Sequence, residues 1–592
     1  THTMPPSSFP LLLIAATVLP MNLTSSSSLD AKLCSSSAMG DCLPLPPLPG
    51  ANEAASKAKS SLPIDNTFTF PSPPPSWPKT GEGFASGTID LGGLQARQVS
   101  SFTKVFAALR GGPGDMGATF FEPAAVPDGF SMIGSYAQPN NRALFGRLLV
   151  VKDTSTRKSL KPPLDYSLLW STNSSRTEGH GYFWLPVAPG GYKPAGILVT
   201  GSPEKPPLDR IRCVRSDLTE PCEAGDFIWA TDDNGFTVSS STPSRRGVQE
   251  KGVMAGTFVC QPNGAAAPSL GSLRNSKGSA SPMPDLTQVR SLFRAYAPLI
   301  SFHPQEQFLP SSVSWFFANG ALLYTKGKEA SPVPIDPTGK NLPRVGTNDG
   351  AHWLDLPAGQ PARDIVKAGD LQSAEAYLHV KPVFGSTFTD IAVWVFFPFN
   401  GGARAKAGFV KYVPLGKIGE HVGDWEHVSL RISNFDGELQ SVFFAEHSGG
   451  RWVAVPEVEF GKGANRVVAY ASYHGHATYA RPGLVLQGNR AVGIRNDAAK
   501  GGKVMDTGAN YTVVTAEGAV APPPWAEYPY KWGPNISYRD VNEEMGRVKR
   551  MLVGKLKSEF QKMVEGLPPQ VFGEDGPTGP KFKPSWLGDE TA

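Results

Sequence analysis

Cysteine is scarce, with five residues in 592 (Cys34, Cys42, Cys213, Cys222, Cys260) that follow no zinc-ligand spacing. Neither a disulfide-stapled fold nor a cysteine zinc site is therefore indicated, and a local Cys213–Cys222 bridge is the lesser reading. Long apolar runs are also missing. The longest, Pro10 to Pro20 (PLLLIAATVLP), falls short of the roughly 20 residues that cross a bilayer, so no transmembrane helix is expected. That run has the length of a signal-peptide core, but the preceding THTMPPSSF carries no Lys or Arg. A disordered leader over residues 1–62, rich in Ser, Pro and Ala, is the better reading. Charge of one sign is lacking too. The 56 Lys and Arg stand against 52 Asp and Glu, a net +4 with no basic run of five, which argues against nucleic acid as a partner.

Glycine (63) and proline (56) are plentiful, and both favour many short strands and turns over long helices. The expected fold class is mainly β. At this length two or three domains are expected. Residues 63–260 read as a β-prism-like repeat domain, because Pro127-Asp-Gly129-Phe130 to Gly134 and Pro189-Gly-Gly191-Tyr192 to Gly196 share the spacing P-x-G-[FY]-x-x-x-G. Each copy follows aromatics and precedes an apolar strand, and Phe227 to Val259 reads as a degenerate third copy. Residues 261–285 have linker composition. Residues 286–592 read as a β-sandwich with peripheral helices: a helix at LTQVRSLFRAYAP, then strands at SVSWFF, ALLYTK, AEAYLHVKPVF, TDIAVWVFFPF, EHVSLRIS, LQSVFFAEHS and WVAVPEVEF. Val541, Met545, Val548, Leu552, Leu556, Phe560 and Met563 recur at steps of three and four, which predicts a C-terminal amphipathic helix.

Eight of the ten histidines fall between His303 and His476. The densest stretch is Gly419-Glu420-His421-Val422-Gly423-Asp424-Trp425-Glu426-His427, leading into a strand. Alternate residues of a strand share a face, so Asp424 and Glu426 converge, with His421 at the preceding turn. Two carboxylates this close repel unless a cation lies between them. A mixed oxygen and nitrogen donor set suits Mg²⁺, Ca²⁺ or Mn²⁺ better than Zn²⁺. His447, His474 and His476 end neighbouring strands and are expected to line a ligand-binding cleft. Asp390 and Asn400, which flank IAVWVFFPF, are further candidates, Asn400 for the metal and Asp390 for the ligand.

FSMIGSYAQPNNRALFG, FHPQEQFLPSSVSWFFANGALLY, NDGAHWLDLP, GEHVGDWEHVSLRISNFDGEL, YASYHGHATY and PSWLGDE together resemble the plant proteins with domain of unknown function 946. Those proteins are grouped with yeast vacuolar protein sorting-associated protein 62. Locally, VWVFFPFN followed by EHVGDWE resembles the necrosis- and ethylene-inducing-like proteins, secreted cytolysins with a G-H-x-H-D-W-E hallmark. That resemblance implies cation ligands at His421, Asp424 and Glu426 and a sugar head group of a plant sphingolipid as the class of ligand. This chain departs from the hallmark at Gly423, where the second histidine would stand, and at Asn400, where an acidic residue would.

The leading expectation is a peripheral, divalent-cation-dependent protein that binds a glycolipid head group or glycan at a membrane, in defence or in vacuolar sorting. The alternatives are a metal-dependent hydrolase with His474 or His476 as acid or base, and a trafficking scaffold with a structural cation. Against the hydrolase, no G-x-S-x-G elbow or G-x-x-x-x-G-K-[ST] phosphate loop is found.

Overall fold

Turn chemistry sets the grain of the chain. In the computed structural model, Phe130 N donates to Pro127 O and Tyr192 N to Pro189 O, both at 3.0 Å, so the two sequence repeats close the same turn. The structure describes residues 61–592 except 80–82, 173–175, 234, 265, 279–281, 408–409, 448, 489–491, 517–518, 536–545, 547–548, 551, 566–575 and 591–592. The expected leader, with Cys34 and Cys42, lies outside the described residues but for its last two. The chain is mainly β, 40% strand against 12% helix, in several sheets. Cys213, Cys222 and Cys260 are free thiols, and burial pushes the Cys213 thiol up to about 11.

The first half holds five small sheets. The two repeats meet where their last glycines touch: a Cβ on Gly134 would lie 2.9 Å from the Cα of Gly196 and 2.9 Å from Cγ2 of Thr257. Thr257 also packs on Gly196, and its hydroxyl donates to Ala195 O at 2.8 Å. Three segments about 60 residues apart therefore share one junction. Phe106, Phe120, Phe183, Trp229, Phe236 and Phe258 form one hydrophobic cluster of this half, and Ile89, Leu94, Ile133 and Ala195 belong to another. Composition marked 261–285 as linker, yet Gly271–Arg274 is a strand paired to Thr219–Ala230 and Gly252–Val253.

The second half opens with the helix Leu286–Tyr296. Asp285 caps it by accepting from Gln288 N, while Gln288 reaches back to Asp285 N, both at 2.9 Å, a reciprocal cap that satisfies two otherwise orphaned donors. SVSWFF is helical rather than extended: Ser312 Oγ accepts from Trp315 N and starts the helix Val313–Ala318. An apolar run of this length has no period of its own, so the cap decides.

The main sheet has six strands, β1 (Ala376–Val383), β2 (Phe388–Asn400), β3 (His421–Ser433), β4 (Leu439–Glu446), β5 (Gly449–Ala454) and β6 (Tyr511–Ala516). Their order is β5-β4-β3-β2-β1-β6, with only β1 and β6 parallel. β2 is buried along its whole length, as a central strand covered on both faces must be. One face carries Leu378, Val380, Ile391, Val393, Leu430 and Ile432 against the first helix. The other begins with Tyr377, Trp394, Phe396 and Trp425, packed on Trp525 and Trp532.

Farther along, that second face turns ionic, with Lys381, Asp390, His427 and Arg431 all buried. The segment Pro584–Glu590 lies across it as a strap. Lys381 Nζ donates to Ser585 O and Gly588 O, and Arg431 binds Asp390 through two bonds of 2.9 and 2.8 Å and Asp589 at 2.6 Å. Glu590 accepts from Ser429 at 2.9 Å and faces His427 Nε2 at 3.1 Å, while Trp586 stacks on His379 at 3.7 Å. Of the helix expected from Val541, Gly546, Lys549 and Arg550 are helical, and Lys555–Glu565 is a helix in which Phe560 is buried. Leu552 and Val553 are not helical, and residues 541–545 lie outside the described residues.

Candidate functional site

The site sits where β3 begins beside the end of β2. The register pairs Asn400 with His421, Phe397 with Asp424 and Val395 with Glu426. Asp424 and Glu426 thus point to one face, and Trp425 points to the other, into the tryptophan cluster. A cavity of about 520 Å³ opens there, lined by His421, Asp424, Glu426, Asn400, His447 and Lys583 among others. Among the described residues neither carboxylate is paired with an arginine. Asn400 donates its amide N–H groups to Gly401 O at 3.0 Å and Gly419 O at 2.6 Å, which fixes the turn that carries His421.

A buried proton organises the floor of the cavity. His476 Nδ1 faces Asp424 Oδ2 at 3.3 Å and Nε2 faces Phe308 O at 3.0 Å, with Glu306 Oε2 3.9 Å from Nε2. Both ring nitrogens meet acceptors, so both must carry hydrogen. Burial disfavours the charged ring, but the carboxylates of Asp424 and Glu306 outweigh it and hold His476 at about 9. Glu306 in turn is held down to about 2: burial raises it, and His476 with the backbone N–H groups of His474 and Phe308 overcomes that. Asp424 is shifted downward, against burial, by His421 and His476. Glu426 is driven well above the usual carboxylate range, first by burial and then by the charge of Asp424. Two neighbouring carboxyls are thereby pushed in opposite directions.

The donor types match a hard divalent ion, but their spacing does not close a shell. His421 Nε2 is 3.8 Å from Asp424 Oδ1, and the second oxygen of Asp424 faces His476. Among the described residues no three His, Cys, Asp or Glu side chains are grouped to hold an ion. His421 Nδ1 is buried without a hydrogen-bond partner.

The family model for vacuolar protein sorting-associated protein 62 matches residues 64–590. The chain belongs to that family. No curated protein matches the sequence. Among solved structures, GNIP1Aa from Chromobacterium piscinae is similar at 18% identity and TM-score 0.25, over 33% of this chain and 40% of its own length. NLPPya in complex with glucosamine is similar at 13% identity and TM-score 0.19, over 34% of this chain and 71% of its own. The necrosis- and ethylene-inducing protein 2 of the causal agent of cocoa's witches' broom disease is similar at 11% identity and TM-score 0.18, over 36% and 71%. At such scores these likenesses carry no argument about the site.

Within this family member, the predicted site residues fall into two groups. His421, Asp424, Glu426, Asn400 and His447 line one cavity, and His476 supports it from beneath. His474 donates its backbone N–H to Glu306 at 2.7 Å, and its Nδ1 lies 3.0 Å from Gly402 O. It shapes the loop. Asp390 is elsewhere, ten residues back along β2 and locked to Arg431 on the ionic face, so it is not at the cleft. Gly423 has a physical reason to be glycine: its φ is +75° and a Cβ would lie 2.4 Å from Trp532 O, which leaves no room for a histidine. Glu306 and Lys583 were missed by local spacing, since they come from segments more than a hundred residues away on either side.

Proposed function

We propose that this protein is a peripheral, cation-dependent binding protein that recognises a glycan or glycolipid head group at a membrane, in defence or vacuolar sorting. The supporting observation is the carboxyl pair Asp424 and Glu426 lining one cavity, with Glu426 raised first by burial and then by its neighbour's charge. An added positive charge would relieve that repulsion. A divalent ion would have to draw His421, Asp424 and Glu426 together, with Asn400 beside them, and it would supply coordination for vicinal sugar hydroxyls. His447 and Lys583 would contact the rest of the head group. The junction of Gly134, Gly196 and Thr257 supports reading residues 63–260 as a threefold, β-prism-like module beside a sandwich-like second half.

The test is flotation with phosphatidylcholine vesicles with and without a glycosylated sphingolipid, in Ca²⁺, Mg²⁺ or Mn²⁺ and in chelator. Binding should require the glycolipid and should be lost in chelator and in Asp424→Asn. Glycolipid binding that survives both changes would refute the reading.

A further inference from the structure

A second cleft, of about 460 Å³, opens between the two halves of the molecule. Arg142 reaches it from the turn that follows the strand Tyr136–Pro139, Arg451 and Trp452 from β5, and Arg481 from the loop after Thr478–Tyr479. Three guanidinium groups from three separate segments therefore face one opening. Their carboxylate partners do not match them in number. Arg142 donates to Glu457 Oε2 at 2.7 Å, and Arg451 Nε stands 3.7 Å from Glu446. Arg481 donates to the backbone oxygen of Glu457 at 2.7 Å, which leaves its positive charge without a counter-ion among the described residues. Such half-exposed pairs add little stability, so stability is a poor reason for gathering three arginines.

We propose that this cleft is a binding site for a polyol phosphomonoester, either a soluble sugar phosphate or a phosphorylated inositol head group. The planar fork of arginine presents paired N–H donors that match phosphate oxygens, which makes it the side chain best suited to this recognition. The ligand must also bring hydroxyls. Asn141 lines the same cleft, and its side-chain oxygen is buried with no hydrogen-bond partner. A sugar or inositol hydroxyl would satisfy that acceptor once the Asn141 side chain turns into the cleft, whereas a bare anion would not. Trp452 also lines the cleft, with its indole held against the Arg431 guanidinium at 3.7 Å. The site shares none of its lining residues with the Asp424 cavity and does not depend on the proposed cation.

The experiment is calorimetric titration of the full chain in physiological salt with glucose 6-phosphate and with glucose. Flotation runs in parallel with phosphatidylcholine vesicles with and without phosphatidylinositol 4-phosphate. Saturable binding of the phosphorylated partner but not of its unphosphorylated counterpart is expected in at least one arm, and the arm that responds identifies the source. Arg451→Gln and Arg481→Gln, both at exposed side chains, should each weaken it about tenfold or more, the loss expected for one charged hydrogen bond. Asp424→Asn should leave it unchanged, which separates this site from the first cavity. No saturable binding in either arm, or binding by both arginine variants as tight as the parent's, overturns the proposal.

Discussion

Gly423→Ala is the sharpest test of how the site is built. The backbone there has φ +75°, and an added Cβ would sit 2.4 Å from Trp532 O and 2.7 Å from Trp532 Cβ. A left-handed non-glycine residue costs about 1–2 kcal/mol, and forcing a methyl into a packed core costs about 1–3 kcal/mol. The expected loss is their combination, about 2–5 kcal/mol. At about 2–4 °C per kcal/mol, the value for domains of about 150–250 residues, Tm should fall by roughly 4–20 °C. Gly463→Ala is the matched control, because its φ is +67° but nothing lies within 4 Å of the added atom. It should show the backbone cost alone. The assay is thermal unfolding followed by tryptophan fluorescence, which reports on Trp425, Trp525 and Trp532 in the adjoining cluster. Gly423→His should be worse still, since Trp532 holds the space that the look-alike hallmark gives to a histidine. A Gly423→Ala protein that melts with its parent, or no lower than the Gly463→Ala control, would refute the packing argument.

Other outcomes follow from the buried charges. His476 is raised from its ordinary 6.5 to about 9, so its contribution is complete below pH 6.5 and is lost as pH rises through 9. Glu306 is lowered from 4.5 to about 2, so its contribution is complete above pH 4.5 and is lost as pH falls through 2. Tm against pH should therefore peak between pH 4.5 and 6.5. In His476→Gln the alkaline decline should flatten, and an unaltered alkaline limb would contradict the assignment. Glu590→Ala strips the buried Lys381 and His427 of their shared carboxylate and should cost about 3–5 kcal/mol, read as a drop in Tm; an unchanged Tm would mean that the strap is not holding that face.

What could be read in advance was what is local. Asp424 and Glu426 stand two apart in a strand, and period two alone puts them on one face. The helix after Asp285 was equally visible, because its cap and its apolar spacing lie within one short window. Glu306 was not legible. It meets His476 across 170 residues of chain, and nothing in SFHPQEQF distinguishes a carboxylate that will be buried from one that will be hydrated. Asp390 misled for a related reason: its position at the mouth of β2 suggested the cleft, but Arg431 lies directly opposite in the register and captures it. SVSWFF misled because aromatic and β-branched residues favour strands until a serine cap intervenes. The Gly271–Arg274 strand was hidden by linker-like neighbours, since four residues that pair with distant partners carry no period of their own.

The strap bears on how the molecule is assembled during synthesis. A ribosome emits Lys381, Asp390, His427 and Arg431 long before Asp589 and Glu590 emerge. Until then Lys381 and Arg431 have only Asp390 between them, and an unmatched charge resists leaving water. That side of the sheet must stay wet until Asp589 and Glu590 arrive. A nascent chain stalled short of position 589 would offer that unsealed basic surface to whatever acidic segment came near.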